Sequence, residues 1–214
     1  MIIFINVNMR KNKFLLQLLL ITITISLQNI EAQNFPKNKV EQSTKGKEYI
    51  YFDGEKQIKV YLQEDLVAEF NGNTNSYVKT IDPSSNPVKK AGIVNVYKIQ
   101  NSIVKNQLKQ GKFSKSYHSS APVSEVFRSE AGTLMALPGN IILTFKEGVS
   151  ESQIKNFLNK HGLTLIRKQT ILNKDYYIVK YKPGIASLEL ANQLRNEPII
   201  ETSQPDWWKE YSLR

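Results

Sequence analysis

The amino-acid sequence predicts an α+β fold, an antiparallel four-stranded sheet backed by two helices and preceded by a degenerate, β-rich copy of the same pattern. Three observations lead there. Asn140 to Lys146 alternates, with Ile141, Leu143 and Phe145 on one face. Ser150 to Gly162 carries helix start and stop signals around an apolar stripe of Ile154, Phe157 and Leu158. Two ungapped stretches, Phe52 to Phe70 and Phe127 to Phe145, also match: Phe52 aligns with Phe127, Glu55 with Glu130, Leu62 with Leu137, Asp65 with Asn140 and Phe70 with Phe145. Similarity of that kind points to tandem units, residues 47–126 and 127–210.

In chain order, Arg10, Lys11 and Lys13 precede the apolar run Phe14 to Leu27, and Ala32 closes "NIEA". Charge, apolar core and small residue in that order make residues 1–32 a secretory signal peptide. The run is interrupted by Thr22, Thr24 and Ser26 and falls short of the roughly 20 residues of a membrane span. The only membrane contact expected is therefore that of the signal before cleavage. Residues 33–46, polar and carrying Pro36, read as a flexible leader. In the first unit Asn71 to Ala91 is rich in Asn, Ser and Pro where the second has a helix and a strand, and Val94 to Gln110 reads as a strand followed by a helix.

The second unit reads element by element. A strand over Asn140 to Lys146 leads to a helix opened by a Ser150–Gln153 capping box and ended by Gly162. Leu163 to Lys168 and Tyr176 to Tyr181 are strands flanking the turn "LNKD". Ser187 is placed to cap a second helix buried through Leu190, Ala191 and Leu194, and Ile199 to Ser203 is the last strand. The order β-α-β-β-α-β, with right-handed crossovers, closes as a ferredoxin-like split βαβ sandwich.

Charge and composition narrow the functions. Removing residues 1–32 takes away three basic residues and Glu31, so +10 becomes +8 (26 basic minus 18 acidic). The lysines are scattered and no basic stretch is interleaved with aromatics, which argues against nucleic acid. Cysteine is absent, so an exported chain folds without disulfides. His118 lies in a Ser-rich connector and His161 at a helix end, where a cation suits the dipole. Neither has a nucleophile arranged beside it in the sequence, so no catalytic set, metal or cofactor is expected.

Within this unit, "LPGNIILTFKEGVSESQIKNFLNKHGLTLIRK", "YYIVKYKPG" and "SLELANQLRNEPIIETSQPD" resemble the N-terminal prodomain of subtilisin-like serine proteases. Phe145, Lys146, Gly148, Val149, Ser150, Gly162, Pro205 and Asp206 match its pattern in place, over Leu137 to Asp206. The first unit resembles the earlier half of longer precursors more weakly. "AGTLMALPGN" resembles the family's nucleophile motif through Gly132, Thr133, Met135, Ala136 and Pro138, yet Leu134 stands at the serine position, and neither Asp-Thr-Gly nor His-Gly-Thr occurs. The stretch therefore reads as the lead-in to the strand at Asn140.

The resemblance implies an intramolecular chaperone and inhibitor, which lays its sheet on the protease and sends its C-terminal tail through the substrate cleft. The outward strand residues Ile142, Ile166 and Ile178 are candidates for the contact face. Trp207, Trp208, Tyr211 and Leu213 are candidates in the tail "WWKEYSLR" after Asp206, of which residues 211–214 lie beyond the folded unit. Glu201 and Asp206 are candidates to meet helix N-termini of the enzyme. The expected partner is thus a subtilisin-like serine protease, met outside the cytoplasm. Two alternatives stand beside this: the front end of a protease precursor with no independent role, and an exported module that binds a cell surface.

Overall fold

The computed structural model describes residues 46–70, 76–103, 106 and 122–210. The expected signal peptide, nearly all of the leader, most of the helix expected before Gln110, His118 and residues 211–214 lie outside the described residues. The fold is α+β, dominated by antiparallel sheet.

The first part builds a seven-stranded sheet around one long strand. β1 (Glu48–Asp53) turns through Gly54, at φ 58°, into β2 (Lys56–Phe70). β2 pairs with β1 along its first half and with β4 (Val94–Lys98) along its second. β5 (Val123–Ser129) runs along the other side, and its register steps from Gln63 to Val67. Glu64, Asp65 and Leu66 have no opposite residue there, and a bulge of this kind bends and twists a strand. The sheet curls into a half-barrel in the order β11-β6-β5-β2-β4-β3. Its two edges, β3 (Pro87–Ala91) and β11 (Trp208–Lys209), are joined by an ion pair between Lys89 and Glu210.

Within Asn71 to Ala91, read as degenerate for its Asn, Ser and Pro, lie the short helix α1 (Tyr77–Ile81) and β3. Glu69, only 1% exposed on β2, explains the helix: it accepts hydrogen bonds from the Tyr77 and Val78 backbone N–H groups at 2.6 and 3.3 Å, and from Ser76 Oγ at 2.7 Å. The anchor is outside the segment, so local propensity does not reveal it.

The second part follows the reading closely. Strands β7 (Asn140–Phe145), β8 (Thr164–Ile171), β9 (Lys174–Lys180) and β10 (Ile200–Pro205) form a separate antiparallel sheet in the order β10-β7-β9-β8. α2 (Glu151–Lys160) joins β7 to β8 and α3 (Ile185–Leu194) joins β9 to β10. Ser150 and Gln153 form the reciprocal capping box, and Gly162 follows the helix at φ 63°. Ile141, Leu143, Tyr177 and Val179 face Ile154, Phe157, Leu158, Ala191 and Leu194 in one buried cluster, with Phe145 packed against it.

The expected boundary between Val126 and Phe127 falls inside β5. Residues beyond it, β5, β6 (Leu134–Ala136) and β11, belong to the half-barrel. The matched stretches both leave a strand end through a turn and then differ: Phe52 to Phe70 runs from the end of β1 into the single long β2, whereas Phe127 to Phe145 runs from the end of β5 into the short β6 and then β7. A paired ribbon connects the two sheets, with Pro205 opposite Ile141, the Asp206 N–H donating to the Asn140 carbonyl at 3.0 Å, and Trp208 opposite Ala136. Gly139 turns the ribbon between sheets. Its φ is 99°, and a Cβ there would lie 2.6 Å from the Tyr181 carbonyl oxygen.

α3 is shared by both layers. Ala191 and Leu194 enter the four-stranded sheet's core, while Leu188 joins Tyr51, Val60, Phe127, Met135 and Leu137 of the half-barrel. Asn192 Nδ2 donates to the Ile50 carbonyl at 2.7 Å, and the Arg195 guanidinium lies 4.2 Å from the Phe52 ring centre.

Ser187 does not cap α3. Gly184 holds the cap position and Glu125 of β5 supplies the acceptor, 3.2 Å from the Ile185 N–H, while the Ser187 hydroxyl donates to the Gly184 carbonyl. Burial pushes the Glu125 carboxyl above its usual range, offset in part by backbone N–H donors including that of Ile185 and reinforced by the nearby Glu189 charge. A raised folded-state pKa favours the native state at low pH, and that contribution is lost as pH rises through it. Glu125→Gln, which keeps an acceptor without the charge, is expected to be more stable than the parent at neutral pH. The advantage should shrink as pH falls towards about 4, which urea unfolding at the two pH values measures.

Candidate partner-binding site

The helix-free face of the four-stranded sheet is built by strand alternation. Since Ile141, Leu143, Tyr177 and Val179 face the helices, the residues between them face the other way. Directly opposed residues share a face, so this side carries Asn140, Ile142 and Thr144 of β7, Tyr176, Ile178 and Lys180 of β9, and Thr202 and Gln204 of β10.

Ile142 and Ile178 are direct cross-strand partners, which places two of the expected residues together. Ile178 is nonetheless buried and Ile142 half-buried, because each sits on a central strand between flanking side chains. Ile166 is on the edge strand and 49% exposed. The register between β8 and β9 shifts from Leu165 to Arg167, leaving Ile166 as an extra residue and setting Arg167 opposite Ile178. The face is therefore more polar than its three isoleucines suggested.

The two candidate carboxylates lie at opposite ends of β7. Glu201, at a register shift in β10, accepts from Lys174 Nζ at 2.7 Å and from Thr144 Oγ1 at 3.3 Å. The Lys174 hydrogen bond holds its carboxyl below the usual range. Asp206 accepts from Asn140 Nδ2 at 3.2 Å. Asn140 and Thr144 are four residues apart on β7, about 13 Å along a strand, so one partner helix terminus cannot meet both acids. Each acid already has a partner within the chain.

Trp207 and Trp208 do not project. Trp207 packs against Tyr51 and Phe127, at 5.1 and 5.3 Å between ring centres, in the core that includes Leu188 of α3. Trp208 packs on the other side of the half-barrel sheet, against the cluster of Ala68, Phe70, Val94, Val96 and Leu134. Alternation sends successive side chains to opposite faces, so both indoles find apolar surface within their own chain. Met135 and Ala136, part of the stretch resembling a nucleophile motif, pair with Lys209 and Trp208. Tyr211 and Leu213 lie outside the described residues.

His161 ends α2, with its ring 4.5 Å from Phe157 and Nε2 3.3 Å from Glu197 Oε1. That is ion-pair distance, without the alignment of a hydrogen bond.

Fold and face together describe an α+β protein whose four-stranded sheet has both its helices on one side. Comparison with protein-family models, with curated proteins and with solved structures finds no match.

Proposed function

We propose that this chain is an exported, prodomain-like partner of a subtilisin-like serine protease, acting as inhibitor, folding chaperone or both. The observation that carries the reading is the connectivity of the second part. A β-α-β-β-α-β run with strand order β10-β7-β9-β8, all antiparallel, supports the ferredoxin-like arrangement that the resemblance over Leu137 to Asp206 implies. Both connecting helices lie on one side, which leaves the face with the half-buried Ile142 and Tyr176 for a partner.

The docking of Trp207 and Trp208 refines the tail. The last described residue held to β6 is Glu210, whose N–H bonds the Leu134 carbonyl at 2.9 Å. Tyr211 and Leu213, which follow it in sequence, are the residues that would lie as a short strand along the cleft edge.

The test is a titration of the exported chain into a subtilisin-like protease encoded by the same genome, read as hydrolysis of a peptide substrate. Inhibition is expected, together with its loss, but continued binding, when residues 211–214 are removed. Undiminished hydrolysis at large excess would overturn the proposal, and unchanged potency without the tail would overturn the tail mechanism.

A further inference from the structure

We propose that β8 is the contact of a two-fold dimer, in which two copies join edge to edge through antiparallel pairing centred on Gln169. Among the described residues β8 pairs only with β9, and every residue from Thr164 to Ile171 is exposed. Apolar side chains sit at both of its ends. Leu165, Ile166 and Ile171 are 46–49% exposed, and Leu172 at the hairpin tip is 96% exposed. Leu172 also occupies left-handed backbone at φ 50°, ahead of Asn173 at φ 63°. Asparagine suits that region and leucine does not, so the turn holds an apolar knob in solvent against two unfavourable terms.

The backbone defines which groups are free. A two-residue turn closes on a hydrogen-bonded pair, here Ile171 with Lys174, and the pattern then alternates. Gln169 is hydrogen-bonded to β9 opposite Tyr176. Thr170 and Lys168 stand in the non-bonded pairs, so their N–H and carbonyl groups point away from β9 along the free edge.

A two-fold axis requires the strand to complement itself. Centred on Gln169, antiparallel pairing sets Lys168 against the partner's Thr170 and Thr170 against the partner's Lys168, and those are the residues with outward backbone groups. It sets Ile166 against the partner's Leu172, so the exposed apolar ends meet one another. No like charges oppose, since Arg167 faces the partner's Ile171. The row through Lys168 continues to the partner's Thr170 and then the partner's Asp175, a cation leading to an acid. Within each copy Lys168 already bridges Glu151 and Asp175, at 2.7 and 2.9 Å. The pairing consumes the β8 edge of both copies, so the assembly stops at two.

The experiment is sedimentation velocity on the chain as processed by an exporting host, across a concentration series and without protease, so its outcome is separate from that of the inhibition assay. A concentration-dependent dimer is expected. Thr170→Pro removes an outward N–H from each copy and none from the β8–β9 hairpin, and should weaken the dimer by about thirtyfold or more with an unchanged far-ultraviolet circular dichroism spectrum. Cysteine is absent from the sequence, so introduced thiols report the register directly. Gln169→Cys should give a disulfide-linked dimer on mild oxidation, because its Cα would lie about 4.5 Å from its symmetry mate in a non-hydrogen-bonded pair. Ile171→Cys should not, as its mate would be four residues away, about 13 Å. A monomer at every concentration, or a dimer in which Gln169→Cys fails to cross-link or Ile171→Cys cross-links equally, would overturn the proposal. The cysteine pair decides the matter even if the proline variant misfolds.

Discussion

Trp207→Ala is expected to lower the unfolding free energy by about 3–5 kcal/mol, the range for deleting a large aromatic side chain from a core. The indole is the point where three segments distant in sequence meet: Tyr51 from β1, Phe127 from β5 and Leu188 from α3. Its ring stands edge-on to Phe127, with 86° between planes, and tilted against Tyr51. Such pairs add about 0.5–1.5 kcal/mol beyond area burial. Collapse around the vacancy is limited, because the strands on one side and α3 on the other are held by their own hydrogen bonds. Urea unfolding with a global probe measures the loss. A change below about 1 kcal/mol, the scale of an ordinary surface substitution, would mean that the C-terminal strand is not docked as described.

The second large effect is expected at Glu69. Glu69→Ala removes the acceptor for the Tyr77 and Val78 N–H groups and the Ser76 hydroxyl at a position only 1% exposed, and should cost about 3 kcal/mol or more. Glu69→Gln keeps an oxygen where the carboxylate was and should lose markedly less. Amide exchange at Tyr77 and Val78 reads the local effect, since both protons depend on this side chain. If alanine and glutamine variants are equally stable, the buried carboxylate is not what holds α1 to the sheet.

What could be read from the sequence divides along the range of the interactions. α2 was legible because Ser150, Gln153 and Gly162 act within a turn of the helix, and the inner faces of β7 and β9 because alternation is local. The cap of α3 was not legible: a serine three residues into the segment is the natural choice, whereas the acceptor is Glu125, on another sheet. Nothing near Trp207 shows that Tyr51 and Phe127 await it, so an aromatic pair at the chain's end reads as a projecting anchor. The same limit applies to the contact face. Ile142, Ile166 and Ile178 have the parity of outward residues, yet the bulge at Ile166 and the cover from neighbouring strands appear only once the register is known. The repeat, strongest as a string of matched letters, pairs the end of β1 and the long β2 with the end of β5, the short β6 and β7.

The pairing of β11 with β6 has a consequence for the pace of folding. A sheet begun by β1 takes its edge strand β11 from beyond the whole of the four-stranded unit, so partners far apart in sequence must meet before it is complete. Loop closure over such separations exacts its entropy before the pairing repays it, so the half-barrel is expected to acquire β11 more slowly than the hairpin of β8 and β9 zips up.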